Sequence, residues 1–148
     1  MPKRLKLREF LPYRLSVLSN RISRDIAERY QRRFELSIPE WRVMAILGEF
    51  GELTAREVAK RTAMDKVAVS RAVVKLLRAG RLRKSADSRD KRRAPLALSA
   101  RGCAIYAKVV PLALAYEDAL LRRLEPRDRK ALDQVLHKLA HIQQTIRA

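Results

Sequence analysis

Residues 54–80 read TAREVAKRTAMDKVAVSRAVVKLLRAG, and this stretch predicts two short helices joined by a tight turn. Thr54 and Glu57 have the spacing of a capping box, in which the two side chains satisfy free backbone amides at a helix start. The pattern breaks at 61–64, and Asp65 can cap a second helix that ends at Gly80. Such a pair is typical of a helix-turn-helix, whose second helix enters the major groove of DNA.

The second helix of this pair is apolar on one side and small, polar and basic on the other. Val69, Val73, Leu76 and Leu77 define the side that we expect to be buried. The fork of an arginine matches the acceptor edge of guanine, which favours Arg71 as the residue that reads a base, with a phosphate contact as the alternative. An ordinary solvated helix face is the competing interpretation of the whole candidate set, which is Lys66, Ala68, Ser70, Arg71 and Lys75.

The next residues predict a β-hairpin with a cationic tip. Residues 81–85 and 94–98 can pair as two short strands around the loop 87–93. A flexible, arginine-rich tip suits the narrow and electronegative minor groove. A basic loop that contacts nothing is the alternative. The candidate DNA-contacting residues of this loop are Arg89, Asp90, Lys91, Arg92 and Arg93.

Residues 36–102 resemble the winged helix-turn-helix of the MarR (multiple antibiotic resistance regulator) family. In that family a wing arginine reaches the minor groove and a neighbouring aspartate holds it, which implies these roles for Arg92 and Asp90. The motifs that carry the resemblance are Val69-Ser70-Arg71, Gly80, Asp90-Lys91-Arg92, and LALSARG at 96–102.

Two residues depart from the family pattern. Arg81 stands where an apolar residue usually follows the glycine. Pro95 lies inside the second predicted wing strand, so we expect it to occupy an edge position.

The chain of 148 residues has a formal net charge of +18 and a pI near 11.1. Its length suits one domain with a single core, which we assign to residues 1–148. The charge indicates a polyanionic partner. A Gly-rich phosphate loop and an acid pair with a nucleophile are both lacking, so the sequence favours neither an enzyme nor a cofactor.

A single cysteine cannot form an internal disulfide, and no apolar run approaches the ~20 residues of a membrane-spanning helix. We therefore expect a cytoplasmic protein without a membrane partner. We expect Cys103 to be buried or idle. His137 and His141, with Asp133, have a spacing that can hold a metal, but we expect them to face solvent, opposite the leucines of the last helix, and predict no metal site.

Long apolar patterns flank the winged helix-turn-helix, which we place at 36–98. One runs through 10–35, where Tyr30 and Phe34 continue the same helix. Two others lie within 99–148: Pro111 should bend the first of these helices, and Glu125-Pro126 separates it from the last one. One copy of the chain would expose these patterns, so two copies are expected to pair through them. The resemblance implies the same dimerisation helices. We expect the segment 1–9 to be loose.

The sequence therefore predicts a mainly α fold with a small β-hairpin, in a homodimer that binds double-stranded DNA. A sequence-specific regulator is favoured, and a non-specific architectural DNA-binding protein is the alternative. The resemblance also implies repression and release by a small aromatic or acidic effector. The candidate residues for such a cavity are Tyr13, Arg14, Trp41, Arg42 and Tyr106, although core and staple packing is the favoured interpretation of each one.

We predict that Arg92→Ala weakens operator binding by more than about tenfold, because it removes a guanidinium from the minor groove. The fold should survive, since the residue lies in a predicted loop. Fluorescence anisotropy with a labelled operator measures the affinity, and circular dichroism checks the fold. Unchanged affinity would remove Arg92 from the interface.

Overall fold

The computed structural model describes residues 2–85 and 94–147, and it confirms a mainly helical fold with one small antiparallel sheet. The chain divides into two compact units, 1–112 and 113–148. After a turn of 3-10 helix at Leu7–Glu9, the elements in chain order are α1 (Leu11–Glu28), α2 (Gln31–Phe34), α3 (Ile38–Phe50), α4 (Ala55–Thr62), α5 (Lys66–Arg78), β1 (Leu82–Lys84), β2 (Leu96–Leu98), α6 (Ala100–Leu121) and α7 (Pro126–Arg147).

The N-terminal helix is shorter than predicted. The expectation that Tyr30 and Phe34 continue it was wrong, because α1 ends at Glu28 and α2 is a separate short helix. The amides of Arg29 and Tyr30 donate to carbonyls three residues back, which tightens the last turn. This break lets Tyr30 enter the core, where it is 1% exposed. The segment before α1 is also not wholly loose, since it contains the 3-10 turn.

Two side-chain caps, of which the one at Thr54 was predicted, hold the helices that support the core. The Ser37 hydroxyl accepts from the Glu40 amide at 3.3 Å and donates to the Glu40 carboxylate at 2.7 Å, which satisfies a buried acid. The Thr54 hydroxyl accepts from the Glu57 amide at 3.2 Å and begins α4. These caps fix α3 and α4, and the residues buried between α3, α4 and α5 include Met44, Leu47, Val58, Val69 and Leu76.

Helix α5 begins and ends where the sequence indicates, although its start differs in detail. Asp65 occupies the N-cap position, but its side chain makes no capping hydrogen bond, so that part of the prediction was wrong. At the other end the amide of Gly80 donates to Leu77 and that of Arg81 to Leu76. This is a Schellman motif, and Gly80 adopts the left-handed φ of 71° that it requires.

The small sheet is shorter and has one more partner than predicted. Strand β1 pairs with β2 in antiparallel register, from Leu82 opposite Leu98 to Lys84 opposite Leu96. Leu53 forms a β-bridge on the other side of Leu96. The Leu53 amide donates to the Leu96 carbonyl with a nitrogen–oxygen distance of 3.1 Å, and the Leu96 amide donates to the Leu53 carbonyl at 2.6 Å. Pro95 was wrongly placed inside the strand: it precedes β2, where it has no amide to contribute to the ladder.

The start of α6 is packed closely against the residue that follows the Schellman motif. The Ser99 amide donates to the Arg81 carbonyl at 3.1 Å, and the Ser99 hydroxyl donates to the Gly80 carbonyl at 2.6 Å. The Gly102 amide donates to the Ser99 hydroxyl at 3.0 Å. A Cβ on Gly102 would lie under 3.0 Å from the Arg81 carbonyl oxygen, so only glycine fits here. Farther along, Ile105 and Val109 are buried.

In the second unit, Pro126 begins α7 as predicted, and the Arg129 guanidinium donates to the Leu121 carbonyl at 2.6 Å. Pro111 lies inside α6, in the first unit; a bend there stays a prediction. None of the described residues of the 22-residue helix α7 is buried. Across residues 2–85 and 94–147, no helix combines the length and the apolar character that crossing a bilayer requires.

We predict that Gly102→Ala lowers the free energy of unfolding by roughly 1–3 kcal/mol, because the new methyl group must displace the Arg81 backbone. Helix propensity alone would predict the opposite effect, because alanine at a solvent-exposed helix position is more stable than glycine by about 1 kcal/mol. Chemical denaturation measures the effect.

Cys103→Ala is the matched control for this substitution, because Cys103 is the next residue of α6 and is exposed. It should change stability by less than about 0.5 kcal/mol. A Gly102→Ala protein as stable as the parent would show that the contact with Arg81 is not tight.

Candidate nucleic-acid interface

The exposed side of α5 contains four of the ten predicted DNA-contacting residues. Val69, Ala72, Val73 and Leu76 are buried and anchor the helix. Ala68 is only partly exposed, at the margin of the surface. The structure places the other four predicted residues in the open, and these are Lys66, Ser70, Arg71 and Lys75.

Sequence reasoning missed the centre of this exposed side. Val67 is 55% exposed and Val74 is 43% exposed, and Arg78 is exposed one turn farther on. Val67 lies one turn before Arg71, and Val74 and Arg78 lie one and two turns after it, so a helical wheel centred on the buried valines and leucines could have found them. Exposed valines beside an arginine have a chemical use in a major groove, because an apolar side chain can contact the methyl group of thymine.

Arg71 and Lys75 are one helical turn apart and line a cleft of about 290 Å³ between α5 and the start of α3. Ser37 and Pro39, at the start of α3, line its other wall. A base contact by Arg71 and a phosphate contact by Lys75 stay predictions.

The turn before α5 is fixed by its own hydrogen bonds. The Thr62 hydroxyl donates to the Val58 carbonyl at 2.9 Å and accepts from the Met64 amide at 3.3 Å. Ala63 has a φ of 53°, a left-handed conformation that few non-glycine residues adopt. The two helices are therefore held at a defined turn, which positions the exposed side of α5.

The base of the wing is described, whereas its tip lies outside the described residues. Arg83 and Lys84 of β1 are exposed, and Arg83 forms an ion pair with Glu52 at 3.6 Å. The candidate set Arg89, Asp90, Lys91, Arg92 and Arg93 belongs to the undescribed segment 86–93, so its roles stay predictions.

The structure does not bring the five candidate effector residues into one described cavity. The rings of Trp41 and Tyr106 stack with centroids 5.9 Å apart, and Trp41 also packs on Tyr30 at 5.8 Å. Tyr106 covers Gly48, where a Cβ would lie under 3.0 Å from its ring. These contacts fit the interpretation of Trp41 and Tyr106 as packed side chains and not as the walls of a ligand cavity.

Arg42 and the two residues of α1 have different surroundings. The Arg42 guanidinium donates to the Ser23 hydroxyl at 3.1 Å, which ties α3 to α1. Burial raises the pKa of the Tyr30 phenol to about 12, although the positive charge of Arg42 lowers it. Tyr13 and Arg14 instead line a groove along α1, beside Arg8, Leu11, Leu15, Val17, Leu18 and Arg21.

Two remaining candidates are exposed. Cys103 was expected to be buried or idle, and burial is wrong because the thiol faces solvent from the first turn of α6. His137 is exposed, as expected, and its Nδ1 lies 2.9 Å from the Asp133 carbonyl. His141 is exposed on the same helix.

The sequence and structure are similar to those of known transcriptional regulators. A family model described as "MarR family" matches residues 34–93, which include the helix-turn-helix and the first wing strand but not the second. The MarR family transcriptional regulator SPO1453 from Silicibacter pomeroyi DSS-3 is 26% identical, with a TM-score of 0.80 over 95% of this chain and 99% of that one. No curated protein matches the sequence.

Two more solved structures share the fold. A MarR/EmrR family transcriptional regulator from Acinetobacter sp. ADP1 is 23% identical, with a TM-score of 0.84 over 95% of this chain and 99% of that chain. BpsR from Bordetella bronchiseptica, whose DNA binding is regulated by 6-hydroxynicotinic acid, is 22% identical, with a TM-score of 0.74 over 93% and 99% of the two chains. The fold of the whole chain is thus that of these regulators.

We predict that Arg71→Ala weakens binding to a duplex selected by the wild-type protein by about 10- to 100-fold, the value of one bidentate base contact. Anisotropy titration measures the affinity. Arg71→Lys distinguishes the two interpretations, since a lysine keeps a phosphate contact but loses the fork.

Arg123→Ala removes the same charge from an exposed position in the second unit and serves as the control. We expect it to change affinity by less than about twofold. An equal effect of Arg71→Ala and Arg123→Ala would mean that Arg71 contributes only to net charge.

Proposed function

We propose that the chain is a MarR-family DNA-binding transcriptional regulator, which represses transcription as a homodimer bound to an inverted-repeat operator. The observation that carries the proposal is the geometry of α5. One side of this helix is buried in the core, and the other side exposes cations and valines to solvent. Arg71 reads a base, Lys75 contacts a phosphate, and the wing residue Arg92 enters the minor groove. We propose no catalytic activity.

The surfaces of the terminal helices support pairing of two chains. In α7, Val135 is 51% exposed, Ile142 is 48% exposed and Ile146 is 80% exposed. In α1, Leu15 and Leu18 are 45% and 57% exposed. Burial of such apolar stripes against a matching apolar surface is favourable. In a two-fold dimer, the same helices of the second copy provide that surface. We therefore propose that α1 and α7 pair with their counterparts in a second copy.

A two-fold dimer would present its two α5 helices to successive major grooves, about 34 Å apart along the duplex. Each half of the operator would then have the inverted sequence of the other half. The excess positive charge, +18 for each chain, would add affinity for any duplex and speed association.

We further propose that a small aromatic or acidic effector releases the DNA. The regulation of BpsR by 6-hydroxynicotinic acid supports this class of ligand. Tyr13 and Arg14 offer a ring and a guanidinium in the groove along α1, whereas Trp41, Arg42 and Tyr106 are engaged in packing contacts. An effector that favours one spacing of the two α5 helices would shift the population away from the DNA-binding arrangement.

The net charge also favours a second candidate, a non-specific architectural DNA-binding protein. The two functions differ in specificity. A regulator should prefer its selected operator over a random duplex by at least about 10³-fold at physiological salt. An architectural protein would bind both duplexes with similar affinity.

We predict that Val135→Asp/Ile142→Asp yields a monomer that binds one operator half-site weakly, because the two carboxylates disrupt the proposed interface. Light scattering after size exclusion gives the mass, and titration with operator and random duplexes gives the specificity. The parent protein should be a dimer that binds one operator per two chains.

Gln134→Asp/Gln144→Asp adds the same charge on the opposite side of α7 and should remain a dimer. Dimers in both double variants would place the interface elsewhere. A monomeric parent, or equal affinity for the two duplexes, would overturn the proposed function.

A further inference from the structure

A basic cleft of about 400 Å³ lies in the first unit, between α2, the start of β1 and the first half of α6. Its volume is within the range of small-molecule sites. Phe34, Ala104 and Ile105 give it an apolar portion, and Glu35 is the one acidic residue among those that line it. The five cationic residues that line it are Arg32, Arg33, Arg81, Arg101 and Lys108.

Arg81 is the unusual member of this cluster. It is 7% exposed, and its two terminal nitrogens donate to the carbonyls of Glu35, at 3.3 Å, and Phe34. These bonds satisfy the end of α2, but they leave the charge of the guanidinium without a carboxylate among the described residues. Its Nε is buried and has no hydrogen-bond partner. A buried charge in this condition is costly unless an anion compensates it.

The surrounding cations increase this imbalance. Within residues 2–85 and 94–147, Arg32, Arg33, Arg101 and Lys108 form no ion pair with a carboxylate. The Arg33 guanidinium lies 5.1 Å from the centroid of the Phe34 ring, which restricts its position. Five cations around one acidic residue create a strongly positive potential in a concave site, and such a site concentrates anions.

We propose that this cleft binds a small anion that bears at least two phosphate groups. Four of the five cations are arginines, whose planar forks match phosphate oxygens in pairs of parallel hydrogen bonds. One singly charged group would leave most of the cluster uncompensated. Two or more linked phosphates, free or on a nucleotide, supply both the charge and the number of acceptors.

The cleft is distinct from the surfaces used in the proposed function. It shares none of its lining residues with the cleft beside Arg71 and Lys75 or with the groove beside Tyr13 and Arg14. A duplex phosphate backbone is the other possible occupant, and the experiment below separates it from a small anion.

Calorimetric titration of the full-length dimer with inorganic pyrophosphate, at constant ionic strength and without divalent metal, tests the proposal. We expect one binding site per chain. Citrate has roughly the same charge but carboxylate geometry, and it should bind at least about tenfold more weakly. Equal or tighter binding of citrate would overturn the assignment to phosphate. Adenosine triphosphate, as the nucleotide arm, should bind more tightly than pyrophosphate if the apolar portion holds a base.

Arg101→Ala/Lys108→Ala removes two exposed cations of the cleft and should weaken pyrophosphate binding by at least about tenfold. Arg123→Ala/Lys138→Ala removes the same charges from exposed positions in the second unit and should change it by less than about twofold. Equal losses in the two double variants, or no binding by the parent, would overturn the proposal.

Titration of the same two variants with the operator, in the absence of pyrophosphate, tests the other occupant. We expect them to bind DNA with similar affinities. A selective loss of DNA binding in Arg101→Ala/Lys108→Ala would identify the cleft as a contact for the duplex backbone and would overturn the small-anion site.

Discussion

The backbone contact between Arg81 and the start of α6 is the constraint on which the arrangement of the winged helix-turn-helix depends. The Arg81 carbonyl accepts from the Ser99 amide, and Gly102 brings the helix backbone against the same carbonyl. The Arg81 side chain also reaches the carbonyls that end α2. One residue thus joins the end of α5, the first wing strand and two further helices.

Local chemistry made most helices predictable from the sequence. Ser37 and Thr54 cap their helices through short-range bonds, and Gly80 ends α5 in the conformation that glycine adopts most easily. The end of α1 was not predictable in this way, since burial of Tyr30 overrides a continuous apolar pattern. Nor was the bridge between Leu53 and Leu96, because it joins residues far apart in the chain and neither has a local signal for it.

The candidate site was predictable as a surface but not in its detail. The exposed residues Ser70, Arg71 and Lys75 were found, whereas Val67 and Val74 were missed because exposed valines resemble core residues in a pattern search. The side chains of Trp41 and Tyr106 show the opposite limit. Their aromatic character fits a ligand cavity or a packed contact equally well, and only the stacking geometry distinguishes these alternatives. The sequence marked Arg81 as unusual but did not predict the basic cleft around it, because the cations of the cleft come from three separate segments.

Helix α7 has a consequence for how the protein behaves at low abundance. Its described residues include none that is buried, so little inside one chain stabilises this helix. If a second copy covers it, folding of this helix and assembly become one equilibrium, and the thermal stability of the helix rises with the concentration of chains. Dilution would then unfold the C-terminal helix while the core stays folded, and a low cellular concentration would shorten the lifetime of each molecule.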